Sequence, residues 1–230
     1  MIKNFCFQKD IKNLKNNFYR DGFLHLKNFL DKKKLKNILK EAIKYKHSNN
    51  IKKNRILQIH KKVPVILDFF KDDTIKYFLS YVLNFEKICG LQSEFFFNPP
   101  QSPGFGYHQD DFFLRTGNNN SVNLWVPFVP TNIKNGTLGF IKGSHKLKIL
   151  KKINLKNLHS NKKNNYLLIK YKKKICNCNI GDVILISNHV FHCSSTNKSN
   201  KNRYAMSLGY MNEGYNYNKG MTAKREQFKI

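Results

Sequence analysis

His108 and Asp110 stand one residue apart in Gly106-Tyr107-His108-Gln109-Asp110-Asp111. In an extended segment side chains alternate, so this pair is expected to face one side of a strand spanning Gly106 to Leu114. An imidazole nitrogen and a carboxylate oxygen aimed into one space are two parts of a facial triad. That donor set of two histidines and one carboxylate holds Fe(II) and leaves positions open for oxygen and a cosubstrate. A bare His-x-Asp is a weak signal, because short motifs match by chance. The reading therefore depends on a third ligand and on a cation able to hold an anionic cosubstrate.

Both occur downstream. Gly181-Asp182 is a turn signal feeding the apolar run Val183 to Ile186, which leads into a loop carrying His192. Eleven residues later, Arg203 opens the strand Tyr204-Ala205-Met206-Ser207-Leu208. The polar loop Ser195 to Asn202 allows His192 and Arg203 to lie on neighbouring antiparallel strands that face one interior. A guanidinium suits a dicarboxylate cosubstrate: its 2-oxo acid end chelates the metal, and the far carboxylate meets the arginine in a bidentate pair that lysine cannot reproduce. His189 competes for the ligand role, but the spacing to Arg203 favours His192. His145 reads as a structural turn residue and Asp182 as a turn-former. His25, His47, His60 and His159 show no partner pattern, which leaves them as surface or packing residues. Trp125 is equally compatible with plain core.

These groups need a scaffold. Asp21-Gly22 predicts a turn, followed by a short strand to Leu30. Asp31 is a plausible N-cap for an amphipathic helix through Leu35, Ile38, Leu39, Ala42 and Ile43. A strand is expected over Ile56 to Ile59, and a second helix from Asp72 or Asp73 with Ile75, Phe78, Leu79, Val82 and Leu83 on one face. From Gly90 onward short apolar segments alternate with turn residues: Leu91 to Phe97, Ser121 to Val129, Gly136 to Ile141, Tyr166 to Tyr171, Asp182 to Ser187 and Tyr204 to Met211. Helices first and antiparallel strands after predict an α+β, mainly β chain, with the helices buttressing a jelly roll. At 230 residues a single domain suffices. The Lys- and Asn-rich stretch 146–165 reads as an insert or lid over the barrel mouth, and the polar tail 212–230 as loosely held.

Taken together, Gly106 to Asp110, Asn123-Leu124-Trp125-Val126-Pro127-Phe128, Asn135 through Lys146, and the Gly-Asp strand with His192 and Arg203 resemble the phytanoyl-CoA dioxygenase family. The likeness runs from about residue 18 to 211, in the family's order. It implies a double-stranded β-helix (a jelly roll, cupin-like) and an Fe(II)/2-oxoglutarate-dependent oxygenase that consumes O2. It further implies His108, Asp110 and His192 as iron ligands, and Arg203 as the clamp for the distal carboxylate of 2-oxoglutarate. Trp125 and Ser194 match cosubstrate-contacting positions, Gln109 sits between two ligands, and Gln92 is a candidate for the cosubstrate's other end. A retained carboxylate at Asp110 argues against a halogenating variant, so the expected outcome is hydroxylation of a small organic molecule, whose identity the family does not fix.

The formal net charge of +28 invites a nucleic-acid reading. The excess is nearly all lysine, dispersed among Asn, Ile, Phe and Tyr rather than gathered in one arm, which fits a solvated surface better. A nucleic-acid demethylase of the same metal class would bind oligonucleotides with steep salt dependence. A jelly-roll binding module that has lost catalysis is the other rival, and the complete ligand set speaks against it. Five cysteines without a Cys-x-x-Cys pair point to reduced thiols in a cytoplasmic protein. No apolar run is long enough to span a bilayer, and the start lacks signal-peptide character.

Overall fold

The computed structural model describes residues 7–117, 119–147, 149, 172–221 and 223–230. The element order is α1 (Phe7–Asp21), β1 (Phe23–Leu26), α2 (Lys32–Ser48), β2 (Arg55–Leu57), α3 (Pro64–Phe70), α4 (Asp73–Val82), β3 (Ile88–Asn98), α5 (Asp111–Leu114), β4 (Ser121–Pro127), β5 (Leu138–Ile141), β6 (Lys173–Cys176), β7 (Val183–Ser187), β8 (His192–Ser194), β9 (Arg203–Asn212) and β10 (Phe228–Lys229). The strands form two sheets. The larger runs β1-β7-β4-β9-β3-β10, with β2 also paired to β3, and the smaller runs β6-β5-β8. All named pairings are antiparallel, as in a jelly roll whose sheets are not joined into a closed barrel.

Caps and periodicity account for the two anticipated helices. The Asp31 carboxylate accepts the Lys34 amide hydrogen at 2.9 Å and starts α2, which buries Leu35, Ile38 and Ala42. Asp72 accepts from Thr74 at 2.9 Å and starts α4, which buries Ile75, Phe78, Leu79 and Val82. Two further helices, α1 and α3, lie where the sequence suggested none. Pro64 occupies the start of α3, where its missing N–H costs nothing. Gly22, at φ +84°, ends α1 and permits the sharp entry into β1.

Period-2 alternation sorts the large sheet into two faces. Phe95 and Phe97 of β3, Leu124 and Val126 of β4, and Met206, Leu208 and Tyr210 of β9 join the helices' apolar stripes in one core. Each such buried side chain contributes about 1.5–3 kcal/mol. The intervening residues face the other way, and there Gln92, Glu94, Asn123, Trp125, Arg203 and Ser207 line a cavity. Register sets them in rows: Glu94 opposes Ser207, which opposes Trp125, and Gln92 opposes Gly209, which opposes Asn123. A Cβ at Gly209 would lie 2.8 Å from Gln92 Cγ and 3.0 Å from Asn123 Oδ1, so only glycine fits between those two side chains.

Three expectations need correction. The segment Gly106 to Leu114 is not a strand: His108 makes an isolated bridge, and α5 follows at once. His192 and Arg203 do not share a sheet, since β8 pairs with β5 in the small sheet and β9 with β3 and β4 in the large one. The tail is fastened rather than loose. Its β10 pairs with Cys89 and Gly90, and the Phe228 ring packs against Phe70 at 4.9 Å and His60 at 4.8 Å. The slot exists because residue 90 is glycine; a Cβ there would sit 2.3 Å from the Phe228 ring. The strand from Tyr166 to Tyr171 falls outside the described residues, as does the insert apart from Lys146, Leu147 and Ile149.

Candidate metal and anion site

Two sheets deliver the candidate ligands to one point. His108 and His192 exchange both backbone hydrogen bonds at 3.0 Å, which pins one segment to the other and sets the two imidazoles 4.3 Å apart. After His108 the chain turns into α5, and Asp110, in the helical region at φ −63°, sends its carboxylate back between the rings. Asp110 Oδ1 lies 3.3 Å from His108 Nε2, and Oδ2 lies 3.7 Å from His192 Nε2. One ligand atom from each of His108, Asp110 and His192 lies within 4.8 Å of the others.

The surroundings fix which nitrogen is free. His108 Nδ1 is 2.8 Å from the Gly106 carbonyl, and His192 Nδ1 is 3.1 Å from the Val190 carbonyl. A carbonyl only accepts, so each Nδ1 carries a proton and each Nε2 faces the shared space, the arrangement that orients metal-binding imidazoles. Asp110 raises the His108 imidazole despite its burial, so His108 Nε2 offers its lone pair once that ring is neutral. Behind the carboxylate, Asn123 Nδ2 donates to Asp110 Oδ2 at 2.7 Å and to Asn188 Oδ1 at 2.9 Å. Asn188 in turn donates to Ser121 Oγ at 2.6 Å. Burial favours protonation of Asp110, but the His192 and His108 rings and the Asn123 amide outweigh it and hold the carboxyl well below the usual range. Burial pushes the His192 imidazole down to about 4. At neutral pH the site therefore presents an anionic carboxylate and a neutral His192, as metal ligation requires.

Arg203 is 3% exposed, and among the described residues its guanidinium has no carboxylate partner; its buried Nε has no hydrogen-bond acceptor at all. Burial alone lowers it to about 10. An unpaired buried cation is costly and calls for an anion. Arg203 lines the same cavity of about 430 Å³ as His108, Asp110 and His192.

The other anticipated residues divide. Trp125 and Ser194 line the cavity, and Ser194 Oγ accepts the Phe105 amide hydrogen at 3.0 Å. Gln92 also lines it, with its Oε1 accepting from Arg225 Nε at 2.6 Å. Gln109 is buried, its Nε2 donates to the His189 carbonyl at 2.8 Å, and it is not part of the cavity wall. His189 faces Asp111 at 3.2 Å under α5, which explains a second buried histidine close to the ligands. His145 packs over Gly22 and makes a 3.1 Å contact to the Tyr19 carbonyl.

Sequence reasoning missed Glu94, Asn123, Asn188, Arg55 and Arg225. Glu94 and Asn123 had a usable signal, since each is a polar residue at an inward position of an otherwise apolar strand. Burial, opposed by Arg55 Nε at 2.9 Å, pushes the Glu94 carboxyl up to about 7. An acid whose folded pKa is raised binds its proton more tightly when folded, so stability is lost as pH climbs from the unfolded value through 7. The melting temperature of metal-free Glu94→Gln should accordingly gain on the wild type between pH 5 and pH 8. The expected gain is on the order of 2 kcal/mol. A difference that stays flat with pH would contradict this assignment.

The phytanoyl-CoA dioxygenase (PhyH) family profile matches residues 18–205, most of the chain. The chain belongs to the phytanoyl-CoA dioxygenase family. Solved structures of similar fold include the epimerase SnoN in complex with Fe3+, α-ketoglutarate and nogalamycin RO. It has TM-score 0.78 at 15% identity, covering 96% of each chain. The carbocyclase SnoK from nogalamycin biosynthesis gives TM-score 0.78 at 13% identity, over 92% of this chain and 87% of that one. EctD from S. alaskensis, solved with 2-oxoglutarate and 5-hydroxyectoine, gives TM-score 0.78 at 17% identity, over 94% and 82%. At these identities the structures establish the shared fold. No curated protein matches the chain significantly. Among the described residues no helix is long and apolar enough to cross a membrane.

Proposed function

We propose that this member of the phytanoyl-CoA dioxygenase family is a non-haem Fe(II)/2-oxoglutarate-dependent dioxygenase that hydroxylates a small organic molecule and releases succinate and CO2. The observation that carries the reading is one cavity holding two opposed features. His108 Nε2, His192 Nε2 and the Asp110 carboxylate converge in it, and the Arg203 guanidinium, which has no carboxylate partner among the described residues, provides a demand for one. Iron bound there would supply oxygen activation coupled to decarboxylation of the oxo acid.

The chain's own residues do the rest. His108, Asp110 and His192 are the proposed metal ligands, held by the Gly106 and Val190 carbonyls and by Asn123. Arg203 is the proposed clamp for the distal carboxylate of 2-oxoglutarate, and Trp125, Ser194 and Gln92 are proposed to shape its bed. Similar folds that carry iron with α-ketoglutarate, or 2-oxoglutarate with 5-hydroxyectoine, support this choice of cofactors and a small-molecule substrate. Retention of the Asp110 carboxylate supports hydroxylation over halogenation. The four described cysteines are free, which supports a cytoplasmic setting.

Anaerobic titration with Fe(II) and 2-oxoglutarate tests the proposal. The weak visible charge-transfer band of the chelate should appear in the wild type, disappear with EDTA and be absent from His108→Ala. A folded wild-type protein that gives no band would sink the oxygenase reading and favour a catalytically silent binding module.

A further inference from the structure

Lysine supplies nearly all of the chain's positive charge, and arginine occurs only at 20, 55, 115, 203 and 225. Three of those five, Arg55, Arg203 and Arg225, line the cavity, and no described lysine does. Surface charge drawn from this composition would bring lysines, so the cavity's cations need a separate explanation. Arginine is the side chain that meets a carboxylate with two parallel donors.

Two of the three are spoken for. Arg55 Nε lies 2.9 Å from Glu94 Oε1, and Arg203 is the proposed clamp for 2-oxoglutarate. The hydrogen bonds that hold Arg225 come from neutral groups, its Nε donating to Gln92 Oε1 at 2.6 Å and its Nη1 to the Asn218 carbonyl at 2.8 Å, while the Glu94 and Asp110 carboxylates act on it only through space. Among the described residues it forms no ion pair, and Nη2 has no hydrogen-bond partner. Its position is enforced on both sides. Gln58 Nε2 donates to the Lys224 carbonyl at 3.2 Å, Glu226 pairs with Lys61 at 2.6 Å, and β10 locks onto β3 just beyond. The charges agree. Three arginines face the Asp110 carboxylate and Glu94, whose charge burial only weakens, and a divalent metal with dianionic 2-oxoglutarate adds nothing net, which leaves at least one cation without a counter-charge.

We infer that Arg225, delivered into the cavity by the fastened C-terminal tail, is the anchor for a carboxylate on the substrate, so that the enzyme acts on a small organic acid. This rests on the oxygenase reading and names its substrate class. The substrate's apolar body has Phe96, Phe105 and Phe113 as neighbours in the same wall. Gln92 is also a positioning residue: its amide oxygen fixes the guanidinium.

The test uses matched probes, phenylacetate with phenylacetamide and 3-phenylpropionate with its amide, titrated calorimetrically. The full chain is titrated both metal-free and loaded anaerobically with Fe(II) and 2-oxoglutarate. At least one acid should bind about tenfold more tightly than its amide. Arg225→Gln should abolish that preference and leave 2-oxoglutarate affinity unchanged, and Arg225→Lys should retain part of it. Arg203→Gln should do the reverse, weakening 2-oxoglutarate and keeping the acid preference.

The inference is overturned if no acid outcompetes its amide in the wild type, or if both Arg225 variants lower the melting temperature yet keep the preference. It is also overturned if Arg225→Gln weakens 2-oxoglutarate as Arg203→Gln does, which would place Arg225 in the cosubstrate site. Loss of the charge-transfer band in the wild type would be failure of the oxygenase reading instead. The metal-free titration would still decide whether Arg225 selects carboxylates.

Discussion

Replacing Arg203 by methionine should weaken 2-oxoglutarate binding roughly 30- to 3,000-fold and at the same time raise the melting temperature of the metal-free protein. The two signs have one cause. Among the described residues the guanidinium is buried against no anion, and burial lowers it to about 10. A base whose folded pKa is depressed subtracts stability at every pH below that value, so the penalty is fully present at neutrality. It is on the order of 3 kcal/mol. Methionine keeps most of the apolar stem and removes the charge, so about 1–3 kcal/mol should return. That corresponds to a rise of several degrees for a chain of this size. The ligand loses its bidentate partner. Arg203→Lys separates charge from geometry: it should bind 2-oxoglutarate more weakly than wild type and recover less stability than methionine. A destabilised Arg203→Met with normal 2-oxoglutarate affinity would mean that Arg203 is structural and the clamp lies elsewhere.

Asp110→Ala should lose Fe(II) binding altogether under conditions where Asn123→Ala retains it with affinity reduced roughly 10–100-fold. Asp110 is the only carboxylate among the three convergent candidate ligands, and without it two imidazoles remain. Asn123 is not among the convergent donors but donates to Asp110 Oδ2 at 2.7 Å and ties it to Asn188. Its removal frees the carboxylate to rotate and leaves Asn188 short of a donor. Anaerobic Fe(II) titration at fixed 2-oxoglutarate reads both variants on one scale. Equal losses would mean that Asn123 supports the fold of the site and not the orientation of one ligand. An unaffected Asp110→Ala would remove the carboxylate from the site.

Much of the site was legible because its donors sit in short motifs with local constraints. His-x-Asp, the Gly-Asp turn before an apolar strand, and an arginine opening the next strand all report backbone conformations encoded within a few residues. The alternation in β3, β4 and β9 likewise separates Phe95, Leu124 and Leu208 from Glu94, Asn123 and Ser207 by period alone. What was not legible depends on contacts between distant segments. The Gly106 to Leu114 stretch reads as a strand, yet its only sheet-like contact is the His108–His192 bridge, and Asp111 instead turns into α5 against Asn188 and His189. The tail reads as loose because it is polar, and its order comes from a slot over Gly90 built by β3, α3 and His60.

The sequence by itself therefore determined the chemistry on offer: two histidines, a carboxylate and an arginine, in the order and spacing of the phytanoyl-CoA dioxygenase family, on a chain of helices followed by antiparallel strands. The tertiary structure decided their geometry. It put His192 and Arg203 on different sheets lining one cavity, left Arg203 without a counter-ion among the described residues, raised Glu94 by burial, and brought Arg225 from the far end of the chain to Gln92. Those outcomes turn on desolvation and on long-range packing, and neither is a property of any local run of residues.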